Sequence, residues 1–283
     1  MAVSTRAKAN LGQFMRNIRV EAGYSPAEIA ELLKVTVSTY NRYEVGDVLP
    51  PYGAVFALLQ ICGADEVKEQ ADELYEDAKN EPKPIRLPSG TSRAVRKLMT
   101  AERDAEWIKA IAGLPVPGML QTGRYARALV EANRRLRDPK VSPDTVVRLR
   151  LERQKRLSSA KPLRYHVILD EGVIRREVGG PAVMREQLEH ILTVGGQDNV
   201  TVEVLPFAAG AYGPMSGPLT LVGFPESDEV GVYLEHPAGG SWVDDVGERR
   251  FTATFEDVSD LALGWPDSVD LINGQIRALT NRE

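Results

Sequence analysis

The sequence predicts an α+β protein in which an all-α N-terminal part precedes a mixed α+β C-terminal part. Near the N-terminus, apolar residues recur at helical spacing, as at Leu11, Met15 and Ile18. After Pro162 they alternate with a period of two, which is typical of β-strands. Three prolines within residues 82–88 separate the two patterns, because proline cannot continue a helix.

The N-terminal pattern predicts short helices with sharp ends. Gly23 can end the first helix as a left-handed cap. Ser25 and Pro26 can open the second helix, and Glu28 completes the pattern of a capping box. Thr36 can cap a third helix soon afterwards. The second and third helices are joined by a tight turn, so the pattern is that of a helix-turn-helix.

The third helix would turn Tyr40 and Tyr43 inward and polar side chains outward. A helix-turn-helix reads DNA by placing its second helix in the major groove, where asparagine pairs with adenine and arginine with guanine or a phosphate. Double-stranded DNA is therefore the predicted partner, and the alternative is a small helical bundle that binds protein. The predicted DNA-binding residues are Ser25, Thr36, Val37, Ser38, Thr39, Asn41 and Arg42.

The helix-turn-helix resembles the Cro/phage-repressor (XRE-type) family. The resemblance implies that Val37, Ser38, Thr39 and Asn41 read bases. It also implies that Arg19 and Glu44 form a structural pair. Pro26 departs from the family, which often has a phosphate-contacting glutamine there, so that contact must come from Ser25 or a backbone N–H, or be absent. The matching positions are Arg19, Ala30, Leu33, Val35, Tyr40, Tyr43, Glu44, Gly46 and Pro50.

The charge and composition of the chain limit the functions that are possible. The 283 residues carry a formal net charge of −5, and residues 1–62 hold six Lys or Arg against five Asp or Glu. Because DNA affinity depends on neutralising phosphates, we expect a homodimer on a palindromic operator, or help from elsewhere in the chain. The single cysteine, Cys62, excludes an internal disulfide and a cysteine-rich zinc site. No membrane-spanning run or signal peptide is recognised, so a cytoplasmic location is expected.

The composition divides the chain into three parts. Residues 1–81 form the helix-turn-helix domain with an acidic exit helix, residues 82–101 a Pro-rich basic linker, and residues 102–283 an α+β domain. The exit helix should point away from DNA, because phosphate repels its acidic face. The linker cations belong either to a solvated connector or to a surface that contacts phosphates. These cations are Lys83, Arg86, Arg93, Arg96 and Lys97.

The C-terminal domain predicts both strands and helices. Residues 101–112 predict a helix, and Ser142 and Pro143 open another. The end of the chain predicts two helices broken at Trp265 and Pro266. The predicted strands are residues 163–170, 199–205, 219–224 and 230–236, and the other predicted helices are residues 172–178 and 181–194.

Charge is unevenly distributed in this domain. Residues 134–164 hold eleven Lys or Arg against three acidic residues, whereas residues 226–270 hold twelve acidic residues and two arginines. The basic run is either a solvated helix face or a surface for an acidic partner or phosphate. The opposed charges could also support contact within a dimer.

No complete catalytic or metal-binding pattern is recognised. His166, His190 and His236 lack metal-ligand spacing. Asp170 and Glu171 lie at a strand end, where catalytic carboxylates can lie, although such a pair more often starts a helix. Because nothing completes a nucleophile–base–orienter set, no enzyme activity, cofactor or metal is predicted. A nucleotide- or phosphoester-processing enzyme remains an alternative.

The loop at residues 207–218 combines two aromatic residues, one methionine, three glycines and two prolines. Its small residues would let a ligand approach the backbone, and Phe207, Tyr212 and Met215 could line an apolar pocket. The alternative is a long exposed loop.

Residues 102–278 resemble a domain of uncharacterised function that follows this helix-turn-helix in actinomycete regulators. Some such regulators resemble the antitoxin side of toxin–antitoxin pairs, which implies a small partner protein. We therefore expect a sequence-specific transcriptional regulator whose C-terminal domain mediates dimerisation and ligand or partner input, with an antitoxin-like adaptor as the alternative. The resemblance is carried by residues 116–126, Arg150, Arg153, Gln154, 169–171, 178–180, Gln187, Leu188, 199–202 and 205–207.

Overall fold

The computed structural model describes residues 6–80, 93–133, 135, 141–225, 230–236, 240–243 and 248–282. The chain forms two compact units, residues 1–86 and 87–283. The predicted fold class is confirmed, because a helical N-terminal region precedes a C-terminal region with a mixed sheet and helices. Within the described ranges, no helix is long and apolar enough to cross a membrane.

The N-terminal unit is a bundle of short helices. Its helices are α1 (Arg6–Glu21), α2 (Pro26–Leu32), α3 (Val37–Glu44), α4 (Tyr52–Cys62) and α5 (Lys68–Lys79). Fully buried Leu11, Met15, Ile29, Tyr40 and Leu58 form the centre of its core. The acidic helix α5 packs against α1 and α4, whereas α3 packs against α1 and α2.

The helix ends confirm the predicted caps. The Ser25 hydroxyl accepts a hydrogen bond from the Glu28 N–H at 3.3 Å, and the Glu28 carboxylate accepts one from the Ser25 N–H at 2.8 Å. The Thr36 hydroxyl accepts the Thr39 N–H at 3.1 Å. Gly23 adopts φ 78°, the left-handed conformation that ends α1. These local bonds fix the start of α2 and α3, and therefore the direction of each helix.

The C-terminal unit is built on one mixed sheet. In the described residues, its strands are β1 (Trp107–Ala112), β2 (Arg164–Asp170), β3 (Val200–Leu205), β4 (Leu219–Gly223), β5 (Val230–Leu234) and β6 (Ser241–Val243). The strand order is β3-β2-β1-β4-β5-β6. Strands β1, β2 and β3 are parallel, and the pairs β1–β4, β4–β5 and β5–β6 are antiparallel. The strands predicted at residues 219–224 and 230–236 are present as β4 and β5, which pair with each other.

Helices cover both faces of this sheet. In the described residues, the helices of this unit are α6 (Arg93–Asp104), α7 (Gly123–Ala132), α8 (Pro143–Gln154), α9 (Glu171–Arg175), α10 (Pro181–Gly195), α11 (Glu248–Ser259) and α12 (Trp265–Thr280). Neighbouring residues of β2 belong to different apolar clusters. Val167 lies in the cluster that includes Leu188 of α10 and Ile272 of α12, and Ile168 lies in the cluster that includes Phe255 of α11. The central strands are therefore buried on both sides.

The helix predicted at residues 101–112 is correct up to Asp104 and wrong from Trp107 onward. Helix α6 ends at Asp104, and Trp107–Ala112 form β1, which pairs with both β2 and β4. A strand buried on both faces needs no polar alternation, so its apolar residues resemble a helical stripe. Residues 93–101, assigned to the linker by composition, begin α6, and residues 81–92 lie outside the described residues.

Candidate nucleic-acid interface

Helix α3 presents a polar face outward. Ser38, Asn41 and Arg42 are exposed, and Val37 is 44% exposed beside them. Within the described residues, the side chains of Ser38, Asn41 and Arg42 form no hydrogen bond or ion pair, so their polar groups are available to a partner. Tyr40 on the opposite face is fully buried, which anchors the helix from behind.

A buried ion pair fixes the C-terminal end of α3 to α1. The Arg19 guanidinium donates to both carboxylate oxygens of Glu44, at 2.5 and 3.1 Å, and to the Tyr24 carbonyl at 2.7 Å. Both charged side chains are less than a tenth exposed, at 9% and 8%. The hydrogen bond with Glu44 raises the pKa of Arg19 against the opposing effect of burial. The implied structural role of this pair agrees with these contacts.

The backbones of α1 and α3 approach closely at Gly12. A Cβ atom built there would lie 2.5 Å from the carbonyl oxygens of both Tyr43 and Glu44. Only a residue without a side chain fits this contact, since the obstructing atoms belong to the backbone. Glycine at this position therefore sets the distance between the two helices.

Hydroxyl groups cluster where α3 begins. The Thr36 and Thr39 hydroxyl oxygens lie 2.8 Å apart and share one hydrogen bond. The Ser25 hydroxyl at the start of α2 accepts the Glu28 N–H and retains its own proton. In the turn between α2 and α3, exposed Lys34 adopts φ 55°. These groups are donors suited to phosphate oxygens.

The charge of α3 is small. Its first turn holds no acidic residue, and its two charged residues are Arg42 and Glu44. Because Arg19 pairs with Glu44, Arg42 supplies the exposed charge of the helix. One cation gives weak phosphate attraction, which agrees with the near-neutral composition of residues 1–62.

Of the five linker cations, the structure describes the side chains of Arg96 and Lys97. Lys83 and Arg86 lie outside the described residues, as does the side chain of Arg93. On α6, the Lys97 ammonium lies 4.7 Å from the centre of the Trp242 ring, a cation–π contact within the C-terminal unit. Phosphate contact by this segment stays a prediction.

Side-chain amides hold the loop between β1 and α7. Gln121 donates to the Val116 carbonyl at 2.6 Å, and Gln154 donates to the Gly118 and Gln121 carbonyls at 2.8 Å each. Gln187, which is fully buried, donates to the Leu120 carbonyl at 2.6 Å. This network explains why glutamines belong to the motif at residues 116–126 and to its distant matches.

The basic run at residues 134–164 is not only a solvated face. On α8, the Arg153 guanidinium donates to both carboxylate oxygens of Glu102, at 2.6 and 2.5 Å. Arg150 donates to the Gln121 side-chain oxygen at 2.7 Å. Arg148 on the same helix is exposed. Two arginines of the run therefore serve the domain interior, which spacing alone did not show.

The three residues of the predicted apolar pocket are placed differently from one another. Phe207 and Met215 are 61% and 62% exposed, whereas Tyr212 is partly buried and donates to the Asp170 carboxylate at 3.1 Å. Burial, followed by the Asp170 charge, raises the pKa of Tyr212 to about 12. A pocket formed by these three residues stays a prediction.

The adjacent carboxylates at the end of β2 have structural partners. Asp170 caps α9 by accepting the Gly172 N–H at 2.7 Å, and Glu171 accepts the Phe207 N–H at 2.8 Å. The interpretation of this pair as a helix start is therefore confirmed. The same two side chains also hold the loop that begins at Phe207.

His166 lies in a small polar cluster. Its Nε2 atom and the Ser259 hydroxyl each lie within hydrogen-bond distance of one Glu203 carboxylate oxygen, at 2.9 and 2.8 Å. Burial alone would raise the pKa of Glu203, but the bonds from His166 and Ser259 lower it below its ordinary value. In the part of the chain that the structure describes, no group of three His, Cys, Asp or Glu side chains could hold a metal.

Two known families match the chain. A helix-turn-helix domain matches residues 10–72, and the domain of unknown function DUF5753 matches residues 95–274, which is more than half of the sequence. The chain belongs to the DUF5753 family. The helix-turn-helix match of this DUF5753 protein includes all of α2, α3 and α4 and marks it as a DNA-binding regulator of the XRE type. No curated protein and no solved structure matches the chain.

Proposed function

We propose that this DUF5753 protein is a sequence-specific transcriptional regulator that reads an operator with α3. The observation that carries the proposal is the division of α3 into two faces. Tyr40 is fully buried, while Ser38, Asn41 and Arg42 are exposed and have no partner in the described residues. A helix held from behind with free polar groups in front has the arrangement that major-groove reading requires.

The side chains have distinct proposed roles. Asn41 can pair with an adenine edge, Arg42 with guanine or a phosphate, and Val37 with a thymine methyl group. Ser38 can bond to a base edge. The hydroxyls of Ser25, Thr36 and Thr39 are suited to backbone phosphates, which position the helix without specifying sequence.

A homodimer on a palindromic operator would compensate for the small charge of each reading helix. Two copies double the phosphate contacts, and therefore the steep electrostatic part of the affinity. We assign dimerisation and ligand or partner input to the C-terminal domain, and we expect the protein in the cytoplasm. Sedimentation of the full chain at micromolar concentration tests the dimer, and a monomer there would contradict it.

The small positive charge of α3 also favours a second candidate function, that of an antitoxin-like adaptor that acts mainly through a small partner protein. Genomic footprinting separates the two candidates, because a regulator protects defined operators on its own. Pull-down of one small protein without any protected operator would instead support the adaptor.

Operator binding tests the reading residues. Asn41→Ala and Arg42→Ala should each weaken operator binding by about 1–3 kcal/mol, or roughly 5- to 150-fold. Asn41→Ala should also abolish discrimination at one base pair, and Arg42→Ala should do so if Arg42 contacts guanine. The measurement is fluorescence anisotropy with an operator found by footprinting. Arg16→Ala is the matched control, because it removes an exposed cation from α1. Unchanged operator affinity in both variants would remove α3 from the reading role.

A further inference from the structure

The C-terminal unit contains a cavity of about 640 Å³. This volume lies in the range of small-molecule binding sites. Its wall includes apolar side chains from α6, β1, α7 and α8, namely Leu98, Met99, Ile108, Leu129, Val146 and Leu149. The exposed residues Phe207 and Met215 are not part of its lining. Pro218 of the loop at residues 207–218 lines the cavity, but none of the three residues predicted to form an apolar pocket does.

Arg150 at the cavity wall has no ion-pair partner among the described residues. Arg150 lines the cavity, and its one hydrogen bond within the described residues goes to the neutral amide oxygen of Gln121 at 2.7 Å. It forms no ion pair with a described carboxylate. Arg153, one turn further along α8, differs because Glu102 pairs with it through two bonds. A partly buried guanidinium with free N–H groups lowers the stability of the folded protein unless an anion pairs with it.

The other charged groups at the cavity act on Arg150 in opposite directions. Burial lowers the pKa of Arg150, and the neighbouring charge of Arg153 lowers it further. Arg176 and Glu235 also line the cavity. The Glu235 carboxylate has the opposite effect on the pKa of Arg150, although it forms no ion pair with that residue in the described structure. An incoming anion would supply the direct partner that Glu235 does not.

We propose that this cavity binds an organic anion with an apolar body, whose acidic head group pairs with Arg150. The apolar wall contacts the body of the ligand, and the free N–H groups of Arg150 donate to the head group in the bidentate geometry that guanidinium offers. This proposal names the chemical class of the ligand that the C-terminal domain would sense. That the ligand regulates DNA binding rests on the proposed function. Binding itself is measured without DNA, so failure of the cavity and failure of operator recognition are separate results.

The test uses the full chain and a head-group series. Anilinonaphthalene sulfonate, a fluorescent amphipathic anion, should bind the folded protein, and decanoate or decyl phosphate should displace it. Decanol and decylamine have the same apolar chain and should displace it far less well. The comparison of decanoate with decyl phosphate shows whether a carboxylate or a phosphate is preferred.

Variants connect the result to Arg150. Arg150→Met should weaken decanoate binding roughly 30-fold, because it removes the cation that the acid pairs with. Arg150→Lys should retain the preference for acid over alcohol. Arg148→Met is the matched control, since it removes an exposed arginine from the same helix. Glu235→Gln should strengthen decanoate binding several-fold by removing a competing carboxylate.

Three results would overturn the proposal. They are no saturable binding of the probe by the wild-type chain, equal displacement by decanol and decanoate, or an undiminished preference for acid in Arg150→Met. Circular dichroism shows whether each variant is folded. If Arg150→Met does not fold, the head-group series on the wild type and on Arg150→Lys decides the matter.

Discussion

Replacing Gly12 with alanine should destabilise the N-terminal unit and separate α1 from α3. The added Cβ would lie 2.5 Å from two backbone carbonyl oxygens, whereas ordinary contacts begin at 3.4 Å. Because backbone atoms cannot rotate away, we take the upper part of the overpacking range, about 3 kcal/mol. Alanine favours a helix over glycine by about 1 kcal/mol. The free energy of unfolding of this unit should therefore fall by about 2 kcal/mol.

Two spectroscopic signals separate the units during urea unfolding. The three tryptophans, Trp107, Trp242 and Trp265, all lie in residues 87–283, so their fluorescence follows the C-terminal unit. Far-ultraviolet circular dichroism follows the helices of both units. Gly12→Ala should move the N-terminal part of the circular dichroism transition to lower urea and leave the tryptophan transition unchanged.

Gly53→Ala is the matched control for Gly12→Ala. Gly53 lies in α4, where an added Cβ meets nothing within 4 Å. That variant should be as stable as the wild type or slightly more stable, because it gains helix propensity without a clash. Equal unfolding midpoints for the two alanine variants would refute the close approach of α1 and α3.

Two further predictions follow from backbone strain and from a titrating carboxylate. Lys34→Gly should stabilise the N-terminal unit by about 1 kcal/mol, because φ 55° is strained for a residue with a Cβ atom, and Lys34→Ala should not do so in the same urea assay. Ser259→Ala removes one of the bonds that lower the pKa of Glu203 below 4.5. It should reduce the free energy of unfolding of the C-terminal unit by about 1 kcal/mol above pH 4.5, and the difference should disappear as the pH falls through the pKa of Glu203 in the folded state. A difference between Ser259→Ala and wild type that stays constant down to pH 3, measured by tryptophan fluorescence, would contradict this assignment.

The N-terminal unit could be predicted well from the sequence because its signals are local. Ser25 and Thr36 cap their helices through bonds that span three residues, and Gly23 ends α1 through its own backbone conformation. Local chemistry of this kind is visible in the sequence alone. The outward position of Asn41 followed from the same helical spacing that turned Tyr40 inward.

The C-terminal unit shows why other features were missed. Strand β1 is central and buried, so it lacks the alternation that marked β3, and β6 has only three residues. The cavity could not be predicted because its wall combines residues far apart in the chain. Arg150 and its partner Gln121 are 29 positions apart, and no periodicity connects them. The sequence showed that the run around Arg150 is basic, but it did not show which of its arginines face the interior of the domain.

The hydroxyl groups of Thr36 and Thr39 together leave one hydroxyl hydrogen free at the start of α3. One hydroxyl must donate to the other, so the second always keeps a hydrogen that can point outward. If the hydrogen bond between the two threonines reverses, the free hydroxyl hydrogen moves from one threonine to the other, and the number of free hydrogens stays the same. A phosphate bound at this position, as proposed above, would meet one hydroxyl donor that can lie on either threonine. This tolerance of position would suit a contact that anchors the duplex rather than one that discriminates among bases.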